Sequence, residues 1–92
     1  MGASKGVARF RGNVDGLTNL TAVLRDANGA PALQIDLFRT VRGGDVFCFR
    51  YGINPDGVLE RLSEGRFADL DEAISRLSRD GLTVVIDKSS DS

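Results

Sequence analysis

Two neighbouring runs in the middle of the chain leave it little choice but to build antiparallel sheet. From Ala32 to Val41 the side chains alternate, with Leu33, Ile35 and Leu37 in one column. From Val46 to Ile53 they alternate again, with Phe47, Phe49, Tyr51 and Ile53 in one column. Such period-two alternation suits a half-buried strand, because successive side chains point to opposite faces. Only Arg42-Gly43-Gly44-Asp45 separates the runs. A Gly-Gly step can take the positive φ of a tight turn, so the two runs read as one β-hairpin.

The remaining elements must pack around that hairpin. The chain has 92 residues, one domain's worth. Residues 7–87 are read as that domain, with 1–6 and 88–92 as flexible tails. Val7 to Val14 alternates, with Ala8, Phe10 and Val14 on one side and Arg9 and Arg11 on the other, and reads as a strand. Leu17, Leu20, Leu24 and Ala27 then recur at spacings that suit a helix, with Asp15 or Thr18 as its cap and Gly29 as its stop. The rival reading of the same stretch is a strand from Thr18 to Arg25 that turns at Ala27-Asn28-Gly29.

Further on, Asn54-Pro55-Asp56-Gly57 has the residue preferences of a type I turn. Val58 to Ser63 reads equally well as a short edge strand or a turn of helix. Asp69 to Asp80 is the clearest helix, with Leu70, Ala73, Ile74 and Leu77 facing inward, a capping pair in Asp69 and Glu72, and Gly81 as its stop. Leu82 to Asp87 is a final β-rich strand. The expected fold is therefore α+β in the order βαββαβ, a four-stranded antiparallel sheet with both helices on one face. The alternative is an antiparallel β-meander with one C-terminal helix. The expected core is Phe10, Leu17, Leu20, Leu24, Leu33, Ile35, Leu37, Phe49, Ile74, Leu77, Leu82, Val84 and Ile86.

Composition narrows the function by what it removes. The chain has no histidine, the commonest general base and neutral metal ligand, so Ser-His and Cys-His chemistry is absent. With one cysteine and no histidine, a zinc site is not expected. No metal, no cofactor and no catalytic residue is proposed from the sequence. Cys48 reads as a small apolar strand residue, and a lone cysteine suits a reducing compartment. No apolar run is long enough to span a bilayer, and Met1 to Gly6 does not look like a signal peptide. A cytoplasmic, non-enzymatic protein is expected. Net charge is -1, and that balance argues against a dedicated nucleic-acid binder.

The stretch Asp15-Gly16-Leu17, Leu20-Thr21, Val23-Leu24 and Asp26-Ala27 resembles the first turn and helix of the ACT family of small regulatory domains. Leu70 to Ile74, Leu77, Gly81, Leu82 and Val84 resemble that family's second helix and last strand. The resemblance implies a ferredoxin-like βαββαβ fold, homodimers formed side by side or through sheet edges, and a small-molecule effector such as an amino acid. By position it implies ligand contacts at Asn13, Asp15, Gly16 and Leu17, where a helix N-terminus would present free N–H groups to a carboxylate. The chain departs from the family where Asp15 and Gly16 are adjacent, at Asn28-Gly29-Ala30-Pro31, and in a longer Asn54–Arg66 segment. Phe49-Arg50-Tyr51, Asp56-Gly57, Gly65-Arg66-Phe67 and Leu70 to Ala73 also resemble, faintly, the arm-type DNA-binding module of phage-like integrases.

The sheet face turned away from the helices offers a second kind of function. Gln34, Asp36 and Thr83 are expected there. So are Arg9, Arg11, Phe38, Val46, Cys48, Arg50 and Val85, read as an interface for a second copy or a protein partner. A semi-apolar face that carries arginines and an aromatic suits an interaction surface. On this reading the chain is a protein-interaction or inhibitor protein of the phage or mobile-element type. A third reading is DNA binding through Arg9, Arg11, Arg39, Arg42 and Arg50.

Overall fold

The central hairpin forms, and the sheet grows outward from it on both sides. The computed structural model describes residues 6–13, 19–40 and 44–88. Its elements are β1 (Gly6–Asn13), β2 (Asn19–Arg25), β3 (Pro31–Arg39), β4 (Val46–Ile53), β5 (Leu59–Phe67), α1 (Leu70–Arg79) and β6 (Leu82–Lys88). All six strands form one sheet in the order β5-β4-β3-β2-β1-β6. The first five strands pair antiparallel with their chain neighbours, and β6 returns to lie parallel to β1.

This corrects the expected architecture. The described residues form a six-stranded mixed sheet with one short helix, not a four-stranded βαββαβ sheet with two. The difference lies mainly in one segment. Leu20 and Leu24 suit a helix stripe, but Leu20, Ala22 and Leu24 also form a period-two column. That column meets the inward column of β3, with Leu20 opposite Leu37, Ala22 opposite Ile35 and Leu24 opposite Leu33. A short stretch holding Thr21 and Val23 gains more from a neighbouring strand with a matching apolar column than from a helix of its own. The rival strand reading is thus the conformation adopted, over Asn19–Arg25 as β2.

Side chains fix the turns that make this possible. The Asp26 carboxylate accepts hydrogen bonds from the N–H groups of Asn28 and Ala30, at 2.9 and 3.0 Å. Asn54 does the same for Asp56 and Val58, at 3.0 and 2.9 Å. Gly29 and Gly57 each take φ of 84°, which only glycine adopts without strain. Asp26-Ala-Asn-Gly and Asn54-Pro-Asp-Gly are therefore two copies of one turn. The Asn54 turn sends the chain into β5, a nine-residue strand that settles the reading left open for Val58 to Ser63.

The helix starts and stops as its sequence indicates. The Asp69 side chain accepts from the Glu72 N–H at 2.9 Å, and the Glu72 carboxylate accepts from the Ala68 N–H at 2.7 Å. Gly81 follows with φ of 97°. α1 joins the two opposite edges of the sheet, about 24 Å apart for six strands. A ten-residue helix covers about 15 Å of that span. It therefore lies across one face and seals a core of Ala8, Phe10, Leu20, Ala22, Ile35, Leu37, Val46, Cys48, Ala73, Leu77 and Leu82. Leu24, Leu33, Leu70, Val84 and Ile86 pack around it, half-buried. Gly6 and Lys88, assigned by sequence to the tails, belong to strands.

One glycine is required by close approach. Gly12 has φ of 147°, and a Cβ built there would lie 2.2 Å from the Asn19 carbonyl oxygen. Gly52 lacks a positive φ, and its Cβ would meet Leu62 at an ordinary 3.5 Å. Urea unfolding should therefore show Gly12→Ala destabilised by about 1–3 kcal/mol. Gly52→Ala should be neutral or more stable by up to about 1 kcal/mol, because alanine restricts the unfolded chain. Equal effects at both positions would contradict the β1–β2 geometry.

Candidate functional site

On the sheet face opposite α1, β4 carries Phe47, Phe49 and Tyr51 in one column. Their ring centroids are 6.3 and 6.5 Å apart along the strand. Phe38 on β3 lies opposite Phe47 in register and meets the Phe49 ring edge-on at 5.6 Å. Edge-to-face and offset contacts at these distances are favourable geometries for aromatic rings. β5 adds two cations. The Arg61 guanidinium lies 5.5 Å from the Phe49 ring centre, and the Arg66 guanidinium 5.8 Å from that of Phe47. All four rings stay half-buried, because among the described residues no helix covers this face.

A polar strip runs beside the aromatic row. Asp36 lies opposite Phe49 in the β3–β4 register and opposite Thr21 in the β2–β3 register. Its carboxylate accepts from the Thr21 hydroxyl at 3.0 Å and from the Gln34 amide at 3.2 Å. Beyond it, at the far edge, Arg9 and Arg11 both reach Asp87, at 3.3 and 3.8 Å. Arg61 pairs with Glu64 at 3.2 Å, and Arg66 Nε donates to Asp45 at 2.9 Å. Each of these four arginines therefore has a carboxylate partner, and the face is charged but nearly neutral.

The structure splits the residues that sequence reading grouped as an interface. Arg9, Arg11, Phe38 and Val85 do share the open face. Val46, Cys48 and Arg50 do not: Val46 and Cys48 are buried beneath the helix, and Arg50 is held on that side by an ion pair with Asp80. Phe49, expected in the core, is on the open face. Both columns of β4 begin with apolar residues, Val46 and Cys48 in one and Phe47 and Phe49 in the other, so side-chain type alone could not orient it. Pairing does: Cys48 sits opposite the inward Leu37 and Val46 opposite Arg39, and a one-residue slip would exchange the columns. The helix side also favours small residues, because Ala73 and Gly65 lie there. The sequence signal for this site was the Phe-x-Phe-x-Tyr column itself, of which Phe49 was read as core.

Of the proposed ligand residues, only Asn13 is among those described. Asn13 ends β1 opposite Asn19, and Asp15, Gly16 and Leu17 lie outside the described residues. The helix that was to present its N–H groups there is strand β2, which removes the physical basis for that site. The proposed DNA-binding arginines are divided as well. Arg9 and Arg11 are on the open face, Arg39 and Arg50 occupy the opposite column, and Arg42 lies outside the described residues. Among the described residues no cluster of carboxylates and cysteine is placed to hold a metal ion, and no helix is long and apolar enough to cross a membrane.

Beneath the sheet, a shallow depression is lined by Cys48, Arg50, Ser63, Phe67, Arg76 and Asp80. Two of its arginines converge on Asp80, Arg50 paired with it closely and Arg76 at 3.7 Å, while Arg66 at its rim is held by Asp45. Comparison of the chain with models of protein families, with curated proteins and with solved structures finds no match.

Burial pushes the Cys48 thiol up from its ordinary range, and the Arg50 guanidinium pulls it back only in part. A raised native pKa favours the neutral thiol. Its contribution to stability is complete below the unfolded-state pKa and is lost as pH rises through the native value. Alkylation of Cys48 by iodoacetamide at mildly alkaline pH should therefore be slow in the native protein and should accelerate many-fold in denaturant. A native rate equal to that of the unfolded chain would place the thiol elsewhere.

Proposed function

We propose that this chain is a non-enzymatic protein-interaction module that binds a protein partner through its open sheet face. The observation that carries this reading is the row Phe38, Phe47, Phe49 and Tyr51, with Arg61 and Arg66 set over two of its rings. Aromatic and arginine side chains are the residues that most often dominate binding energy at protein interfaces. A row of rings held by a sheet loses little conformational freedom on binding, because each ring has few torsions to fix. The polar strip at Asp36 and the Arg9–Asp87 pair would form the hydrogen-bonding rim of such a surface.

Charge decides between a protein and a nucleic acid as the occupant. Rings on a sheet can stack on unpaired bases. A nucleic-acid surface, however, draws most of its affinity from arginines and lysines that neutralise phosphates. Here Arg9 and Arg11 share Asp87, Arg61 is paired with Glu64 and Arg66 with Asp45, and the whole chain carries net charge -1. The balance supports a protein partner.

The chain has one tyrosine and no tryptophan, so its intrinsic emission reports from Tyr51 within this row. A photo-crosslinking side chain at Phe49, introduced in the native host, should couple to a defined protein. The same group at Val58, in the Asn54 turn, should not. Against the partner so identified, Phe49→Ala should weaken binding by about 2 kcal/mol, roughly 30-fold, with an unchanged circular dichroism spectrum. Salt-sensitive quenching of Tyr51 by single-stranded oligonucleotides, with no protein crosslink, would overturn the proposal in favour of nucleic acid.

A further inference from the structure

β5 is an edge of the sheet, and among the described residues no strand lies outside it. A nine-residue edge with free N–H and C=O groups is a template for another strand. It is also apolar where an edge should be guarded: Leu62 is 59% exposed and Leu59 45%. The β4–β5 ladder is interrupted once. Arg50 pairs with Ser63 and Tyr51 with Arg61, so Leu62 is an inserted residue. Such a bulge places two successive side chains on one side of the sheet.

The consequence is a mirrored order of faces along β5. Arg61 and Arg66 reach the open-face rings of Phe49 and Phe47. Glu64 lies opposite Phe49, and Leu59 lies opposite Ile53, which shares the Tyr51 column. On the helix side, Glu60 is opposite Gly52, Leu62 touches the Gly52 position, Ser63 is opposite Arg50 and Gly65 is opposite Cys48. Read outward from the Leu62–Ser63 junction, the two directions match: helix side, open, helix side, open. A second copy laid antiparallel about that junction would therefore pair open-face residues with open-face residues along the whole strand. A register shifted by one residue would not.

The charges match in the same register. Arg61 of one copy meets Glu64 of the other, and symmetry makes that contact twice. Glu60 meets Gly65, and Leu59 meets Arg66, whose aliphatic stem can cover it. No like charges are opposed. We infer that two copies of this chain associate through β5, antiparallel about the Leu62–Ser63 junction, to form one continuous sheet. The inference does not depend on the function proposed for the open face, although Arg61 and Arg66 take part in both.

Charge reversal tests this with its own control for folding. Arg61→Glu places two acidic residues against two acidic ones across the twofold axis, and Glu64→Arg places basic against basic. Sedimentation equilibrium should show the wild type in a concentration-dependent monomer–dimer equilibrium and each variant weakened about tenfold or more. An equimolar mixture of the two variants should regain dimer, because each now complements the other. The double variant Arg61→Glu with Glu64→Arg should also dimerise. A wild type that stays monomeric at every concentration would overturn the inference. So would single variants that dimerise as well as the wild type, or a mixture that does not recover.

Discussion

The pairing of β3 with β4 is the constraint on which the rest of the molecule depends. With Leu37 opposite Cys48 and Ile35 opposite Arg50, the small column of β4 is turned toward α1 and the aromatic column away from it. Val46 and Cys48 leave room for a helix that approaches through Ala73 and Leu77, all of them buried. Were the register moved by one residue, three large rings would stand where the helix packs, and a thin column of valine, cysteine and arginine would face outward. The core and the candidate surface are thus two sides of one choice of register.

That choice also shapes the two ends of the sheet. β5 inherits its alternation from β4 and then breaks it at Leu62. Bulges at edges more often serve to discourage pairing, by twisting the strand and dislocating its hydrogen bonds. Here the dislocation falls at the centre of the strand, so both halves carry the same sequence of faces. At the other end, β6 is held by parallel pairing with β1 over seven residues. It can reach that place only because α1, with the short segments at its two ends, carries the chain from one edge of the sheet to the other.

The surface proposed to bind is stabilised by its own contacts before any partner arrives. Phe49 touches Phe38, Phe47 and Tyr51 and lies under Arg61. Arg66 is anchored to Asp45 while it lies over Phe47. Mutual shielding lets a sheet keep large rings outside its core without a second layer, since each ring hides part of its neighbours from water. It also holds the rings in fixed positions, which lowers the entropic cost of contact.

Much of this was written into the sequence at short range. The hairpin of β3 and β4, the Asn54-Pro55-Asp56-Gly57 turn, the capped helix from Asp69 and the final strand each rest on local periodicity or on a side chain that bonds its own backbone, and those forces act within a few residues. The shared pattern of Asp26-Ala-Asn-Gly and Asn54-Pro-Asp-Gly, an Asp or Asn first and a Gly last, is equally local, and the first of these turns follows the end of β2. Other features were decided only by the tertiary structure. Leu20 and Leu24 satisfied helix and strand alike until β3 offered a matching column, and the two apolar columns of β4 could be ordered only by the strand they met. Burial is a property of neighbours distant in the chain. Where local patterns tie, as in β2 and β4, the pairing partner chooses between them.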